Sequence, residues 1–146
     1  MDSNSIYQQV VLDHNRKPKN FGKLEECTHK TEGLNPLCGD HLWIYMKVDQ
    51  EGKIQEITFD GTGCAISKAS ASMMTAALKG KTTEEAKKKF EEFSFLLKGN
   101  MPEEHSLGSL RVFSSIWKYP SRVKCAALAW HAMAGALTDG EKVSTE

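Results

Sequence analysis

From His41 to Asp60 the chain alternates between two faces, and after Cys64 it does not do so again. In HLWIYMKVD, residues 41 to 49, Leu42, Ile44, Met46 and Val48 fall on one side and Trp43, Tyr45 and Lys47 on the other. The turn DQEG follows, and the run KIQEITFD continues the pattern, which predicts a β-hairpin. Beyond it, CAISKASASMMTAALKGK, residues 64 to 81, is rich in Ala, Met and Ser, lacks Pro and meets Gly80 where a helix should stop. Thr82 with Glu85 three positions on forms a capping box for a helix carrying Phe90, Phe93 and Leu97 on one side. A short helix is expected near residues 108–117, and a longer one from Pro120 to about Leu137. Before the hairpin, Ile6, Tyr7, Val10 and Val11 mark one face of an N-terminal helix over residues 3–15, capped by Ser3 or Ser5 and ended before Pro18. A weak third strand is placed at residues 25–32. Strands first and helices afterwards predict an α+β fold: a small antiparallel sheet of about three strands with helices packed on one face.

The length of 146 residues suits one domain, 1–146, and the sequence shows no internal repeat or low-complexity tract. Lys plus Arg and Asp plus Glu both number 19, so charge alone calls for neither nucleic acid nor an anionic membrane as partner. With no spanning apolar run and no basic, apolar leader in MDSNSIYQQVV, the expected location is the cytoplasm. Four cysteines are too few for a disulfide scaffold, and in a reducing compartment spaced cysteines point to metal or sulfur chemistry.

Three of those cysteines can be brought to one end of the sheet. Cys38 lies in NPLCGD at the entrance to the hairpin, Cys64 in GTGC at its exit, and Cys125 early in the last helix. A hairpin returns its exit to its entrance, and a packed helix terminus would bring in the third thiol. Gly39, Gly61 and Gly63 leave backbone bare for tight turns and for amides to approach sulfur. With Asp40 these thiols form a candidate four-ligand set, Cys38, Asp40, Cys64 and Cys125, of a kind that zinc accepts. Cys64 at a helix N-terminus and Arg122 one turn before Cys125 would favour thiolate. Spacing alone leaves the plainer assignment open, because isolated cysteines serve equally well as small buried hydrophobes.

NPLCGD, GTGCAISKASAS and RVKCAAL, in that order and across nearly the whole chain, resemble the three cysteine motifs of the IscU-like iron–sulfur cluster assembly proteins. The details resemble the SufU branch. The stretch from Cys64 to Cys125 is longer than in IscU-type scaffolds, Lys124 stands where those carry histidine, and SSIWKYPSRVKC lacks the proline pair of the scaffold type. The resemblance implies a zinc-dependent sulfurtransferase, with Cys38, Asp40, Cys64 and Cys125 on Zn²⁺ and Cys38 as sulfur acceptor. It implies a SufS-type cysteine desulfurase as donor, one of whose histidines replaces Cys38 on the metal, and downstream iron–sulfur assembly machinery as recipient. The alternatives are a scaffold building an iron–sulfur cluster on the same ligands and a structural zinc domain without transfer activity.

Other residues receive plainer readings. Cys27, with His29 in CTH, is expected to be a strand or loop thiol, and His41 a surface residue facing away from Asp40. Ser67, Ser70 and Ser72 are expected to let their helix pack closely, MMTAAL to be helical core, and EEAKKKFEE a solvated face. Trp117 and Tyr119 are expected to divide between docking surface and core.

Overall fold

The computed structural model describes residues 3–138 and 142–144. Helix α1 (Ser3–Arg16) precedes strands β1 (His29–Asn35), β2 (Asp40–Val48) and β3 (Ile54–Thr62). Helices α2 (Ala65–Leu78) and α3 (Thr83–Leu97), two 3₁₀ turns (Gly108–Phe113 and Ile116–Lys118), α4 (Pro120–Leu137) and a short β4 (Lys142–Ser144) follow. The sheet order is β3-β2-β1-β4, antiparallel except that β4 runs parallel to β1. This is the expected α+β architecture with an added edge strand.

The hairpin forms because its alternation matches the pleat. Leu42, Ile44 and Met46 are fully buried on the inward face, and Trp43 and Lys47 are turned outward and partly exposed. A register shift between Lys47 and Val48 gives β3 one extra residue. That bulge lets Ile54 and Ile57, an odd number of positions apart, both face the core. Period two has a consequence at the strand's start: Asp40 lies on the same inward face as Leu42, whereas His41 points outward.

The third strand begins later than expected, at His29. Its inward residues are Thr31, Gly33 and Asn35, all buried but none a large hydrophobe, so the apolar signal that marks a strand is missing. Gly33 is small for a reason: a Cβ there would lie 3.1 Å from Leu128 Cδ1 and 3.3 Å from Ala132 Cβ, because α4 crosses directly over β1.

Helix α2 lies at the centre, between α1 and α4, and its small residues allow the close approach that was expected of them. Ser70 Oγ donates to the Ala126 carbonyl of α4 at 2.6 Å, and Ser72 Oγ accepts the Lys19 amide at 2.7 Å. Met73, Met74 and Leu78 join the core. Helix α1 starts at Ser3, so Ser5 stands inside its first turn; of its expected apolar face, Val11 is buried but Ile6 is 41% exposed. The expected single helix at 108–117 is instead the two 3₁₀ turns, from which Leu110, Phe113 and Ile116 enter the core.

At α3 the capping box is complete: Thr82 Oγ1 accepts the Glu85 amide at 3.1 Å, and Glu85 Oε1 accepts the Thr82 amide at 3.2 Å. We expect Thr82→Ala to destabilise the chain by about 1 kcal/mol in urea unfolding, with no change in metal content, since the cap stands apart from the cysteines. The charge run is a solvated face except at Glu92, which is buried and accepts the Ser106 amide and hydroxyl, tying down the loop before the 3₁₀ turns.

Candidate metal centre

Three elements carry the site. The four residues Pro36–Gly39 join β1 to β2, and the Cys38 amide closes this turn on the Asn35 carbonyl at 3.2 Å. Cys38 is therefore exposed at a turn, next to Leu37, which is 74% exposed. Asp40, two residues on, begins β2 and is 1% exposed, because the pleat aims it inward. Cys125, in the second turn of α4, is 4% exposed, and its Sγ lies 3.4 Å from that of Cys38. The ligand atoms of Cys38, Asp40 and Cys125 all lie within 4.8 Å of one another.

Cys64 adjoins this group in a different way. It is the N-cap of α2, and its Sγ accepts the Ser67 amide at 3.4 Å. Its own amide donates to Asp40 Oδ1 at 2.8 Å, and the Ser67 hydroxyl donates to the same oxygen at 3.2 Å. The amide that reaches the Cys64 sulfur is thus that of Ser67 in the first turn of α2 and not one of the glycine-flanked amides expected to do so, and the amide following Gly63 serves the carboxylate instead. Gly63 is required by this proximity, since a Cβ there would meet Ser67 Oγ at 2.4 Å and Asp40 Oδ1 at 3.1 Å.

Burial pushes the Cys125 thiol well above the ordinary cysteine range, and the neighbouring Cys38 and Cys64 thiols push it further. A buried thiol raised in this way gives up its proton readily only when a cation is at hand. Arg122 does not supply that cation by direct contact among the described residues: its guanidinium lies over the Tyr119 ring, 4.6 Å from the centroid. The donor set fits zinc, which takes thiolate and carboxylate together, and the spacing of the three convergent donors leaves room for one ion among them.

Two residues of the centre carried no signal of their own. Asn35 stands opposite Asp40 in the β1–β2 register, with Nδ2 at 3.4 Å from Asp40 Oδ2 and 3.8 Å from Cys125 Sγ. Ser67 holds Asp40 Oδ1 as described. Once a four-residue turn between β1 and β2 is recognised, strand pairing places Asn35 beside Asp40; Ser67 follows from being three residues past the cap.

The remaining candidates lie elsewhere. His41 pairs with Glu32 on the outer face and packs beside Trp43. Cys27 lines an outer-face cleft with Lys30, Trp43 and Tyr45, and His29 bonds Thr28 Oγ1 at 2.7 Å. Trp117 and Tyr119 are each about half exposed, so neither takes the core position expected for one of them.

Residues 6–140 match the family model described as the NifU-like N-terminal domain. The chain belongs to this family. Among its NifU-like relatives is the iron–sulfur cluster assembly scaffold protein IscU of Streptococcus pyogenes serotype M1, 39% identical over 92% of this chain and 84% of the relative. The zinc-dependent sulfurtransferase SufU of Bacillus subtilis strain 168 is 38% identical over 88% of this chain and 87% of its own. A crystal structure of a candidate iron–sulfur cluster assembly scaffold protein for the SUF system, FiSufU from Fervidobacterium islandicum AW-1, superposes with a TM-score of 0.85 at 35% identity. That match covers 93% of this chain and 99% of the other. No helix among the described residues is long and apolar enough to cross a membrane.

Proposed function

We propose that this NifU-like chain is a zinc-dependent sulfurtransferase that accepts persulfide sulfur on Cys38 from a SufS-type cysteine desulfurase and passes it to downstream iron–sulfur assembly machinery. The supporting observation is the unequal burial of the donors: Cys38 is exposed on a turn, while Asp40 and Cys125 are buried. A thiol that must meet another protein's persulfide has to be reachable, and the groups that stay behind have to be held by the fold.

Cys38, Asp40, Cys64 and Cys125 would hold the zinc. When bound, zinc keeps thiols deprotonated near neutral pH and guards them against oxidation. The chain's own residues do the rest. The turn closed by Asn35 presents Cys38, and the Cys64 amide and Ser67 hydroxyl fix the Asp40 carboxylate. In transfer, the Cys38 thiolate attacks the outer sulfur of the donor persulfide. A new S–S bond forms at Cys38, the bond between the two persulfide sulfurs breaks, and its electron pair leaves on the donor cysteine as thiolate. There is no net oxidation, and Cys38 ends as the persulfide.

A second reading, a scaffold on which an iron–sulfur cluster is assembled as cargo, is supported by relatives named as scaffolds that are as similar as the sulfurtransferase. Lys124, beside Cys125, supports the first reading, since an ammonium group offers no lone pair to a metal where a histidine would. Metal analysis combined with a desulfurase assay separates them. We expect a colourless protein with about one zinc per chain that accelerates a SufS-type desulfurase. A brown protein with cluster absorption and no effect on the desulfurase would overturn the sulfurtransferase reading. We also expect Gly63→Ala, which crowds Ser67 off Asp40, to weaken zinc binding by about 10-fold in competition with a chromophoric chelator.

A further inference from the structure

The two oxygens of Asp40 are not equivalent. Oδ1 accepts the Cys64 amide at 2.8 Å and lies 3.2 Å from the Ser67 hydroxyl, whose one proton is shared with the Cys64 carbonyl at 3.1 Å, so this oxygen is the more heavily engaged of the two. Among the described residues Oδ2 has one hydrogen-bond neighbour, Asn35 Nδ2 at 3.4 Å, and is the oxygen freer to hold a cation. The same Nδ2 lies 3.8 Å from Cys125 Sγ. The orientation of the Asn35 amide follows from these neighbours, since its oxygen in that place would face a carboxylate oxygen and a sulfur, acceptor against acceptor.

Asn35 is itself fully buried, and its Oδ1 has no hydrogen-bond partner among the described residues. A strand position of this kind is ordinarily filled by an apolar or β-branched side chain, as Thr31 fills the same face nearby. The fold here tolerates an unpartnered acceptor and keeps an N–H donor between the carboxylate and the buried thiol. Both contacts are long, so the amide steers these groups and does not clamp them.

We infer that Asn35 is a positioning residue of the metal centre: it holds Asp40 as a one-oxygen donor through Oδ2 and offsets charge on Cys125, so that these two buried groups retain the ion while Cys38 engages a sulfur donor. The inference rests on the zinc reading above. It deepens that reading by naming an outer residue that sets zinc retention.

The test uses the full chain and zinc itself. Asn35→Leu, close in volume but without a donor, is expected to lower zinc affinity by about 10- to 100-fold in chelator competition. In the cobalt(II)-substituted protein it is expected to shift the thiolate-to-cobalt charge-transfer band, which a purely structural role would leave in place. In an Asp40→Ala background the same substitution is expected to cost clearly less than in the wild type, because one of the two groups it acts through is gone and only the longer contact to Cys125 is left to lose. Should Asn35→Leu fail to fold, Asn35→Ser, too short to reach either partner, carries the same expectations. Wild-type affinity with an unshifted cobalt band, or an equal loss in both backgrounds, would overturn the role of Asn35 while leaving the zinc reading intact. A wild-type chain that holds no zinc would overturn both.

Discussion

On the proposed sulfurtransferase reading, Cys38→Ser is expected to reduce desulfurase stimulation to the level of the desulfurase alone, a loss of at least about 100-fold in sulfur accepted by this chain. The reason is chemical first: at neutral pH a serine hydroxyl stays protonated and does not attack a persulfide sulfur, so no S–S bond can form at position 38. The structure limits the collateral damage. Cys38 is an exposed turn residue whose hydrogen bond to Asn35 is made by its backbone amide, which serine keeps. Folding stability without metal should therefore be unchanged, while zinc is held more weakly by Asp40, Cys64 and Cys125. Mass spectrometry of the chain after incubation with desulfurase and cysteine reads the result directly, as a gain of one sulfur atom on the wild type and none on the variant. Undiminished sulfur loading of Cys38→Ser would reject Cys38 as acceptor and direct attention to Cys64 or Cys125.

Trp130→Ala should be the most damaging of the core substitutions. Trp130 is fully buried in α4, five positions beyond Cys125, and stacks on Phe93 of α3 with ring centroids 4.8 Å apart. Phe93 meets Phe113 edge-on at 5.7 Å, and Phe113 meets Tyr7 of α1 at 5.8 Å, so one chain of rings joins three helices and a 3₁₀ turn. Emptying that position costs about 3–5 kcal/mol from lost transfer energy and cavity. One term opposes it: Trp130 Nε1 is buried with no hydrogen-bond partner among the described residues, and deleting it relieves a penalty of about 1–3 kcal/mol. The net expectation is a loss of about 2 kcal/mol, a sizeable share of the roughly 5–15 kcal/mol that holds a domain together. Urea unfolding of the metal-free protein measures it, and a loss under about 1 kcal/mol would show that the ring stack contributes little. Because α4 carries Cys125, the same variant should hold zinc more weakly than wild type.

The hairpin, α3 with its cap, and the start of α4 at Pro120 were legible because each is encoded in neighbours along the chain: a period of two, a Thr and Glu three apart, a proline suited to a first turn. Strand β1 was blurred because its inward residues, Thr31, Gly33 and Asn35, are small or polar and so give no alternation of large hydrophobes. The edge strand β4 left no trace, since three residues are too few to set up a pattern and its partner lies far back in the sequence. Ile6, read as inward from helical spacing, is exposed because spacing names a face but not what covers it.

The cysteine motifs and their order were a property of the sequence alone, and they sufficed to point to the family and to nominate Cys38, Asp40, Cys64 and Cys125, of which Cys38, Asp40 and Cys125 converge. Which side each group turns was decided by tertiary contacts. The Cys125 sulfur reaches that of Cys38, 87 positions away, only because α4 crosses over β1, and Asn35 faces Asp40 only because β1 and β2 pair in one register. Residue type and spacing set what chemistry a chain can offer, since they are covalent facts. Rotamers and cross-strand neighbours are settled by packing among residues distant in sequence, and no local pattern contains that information.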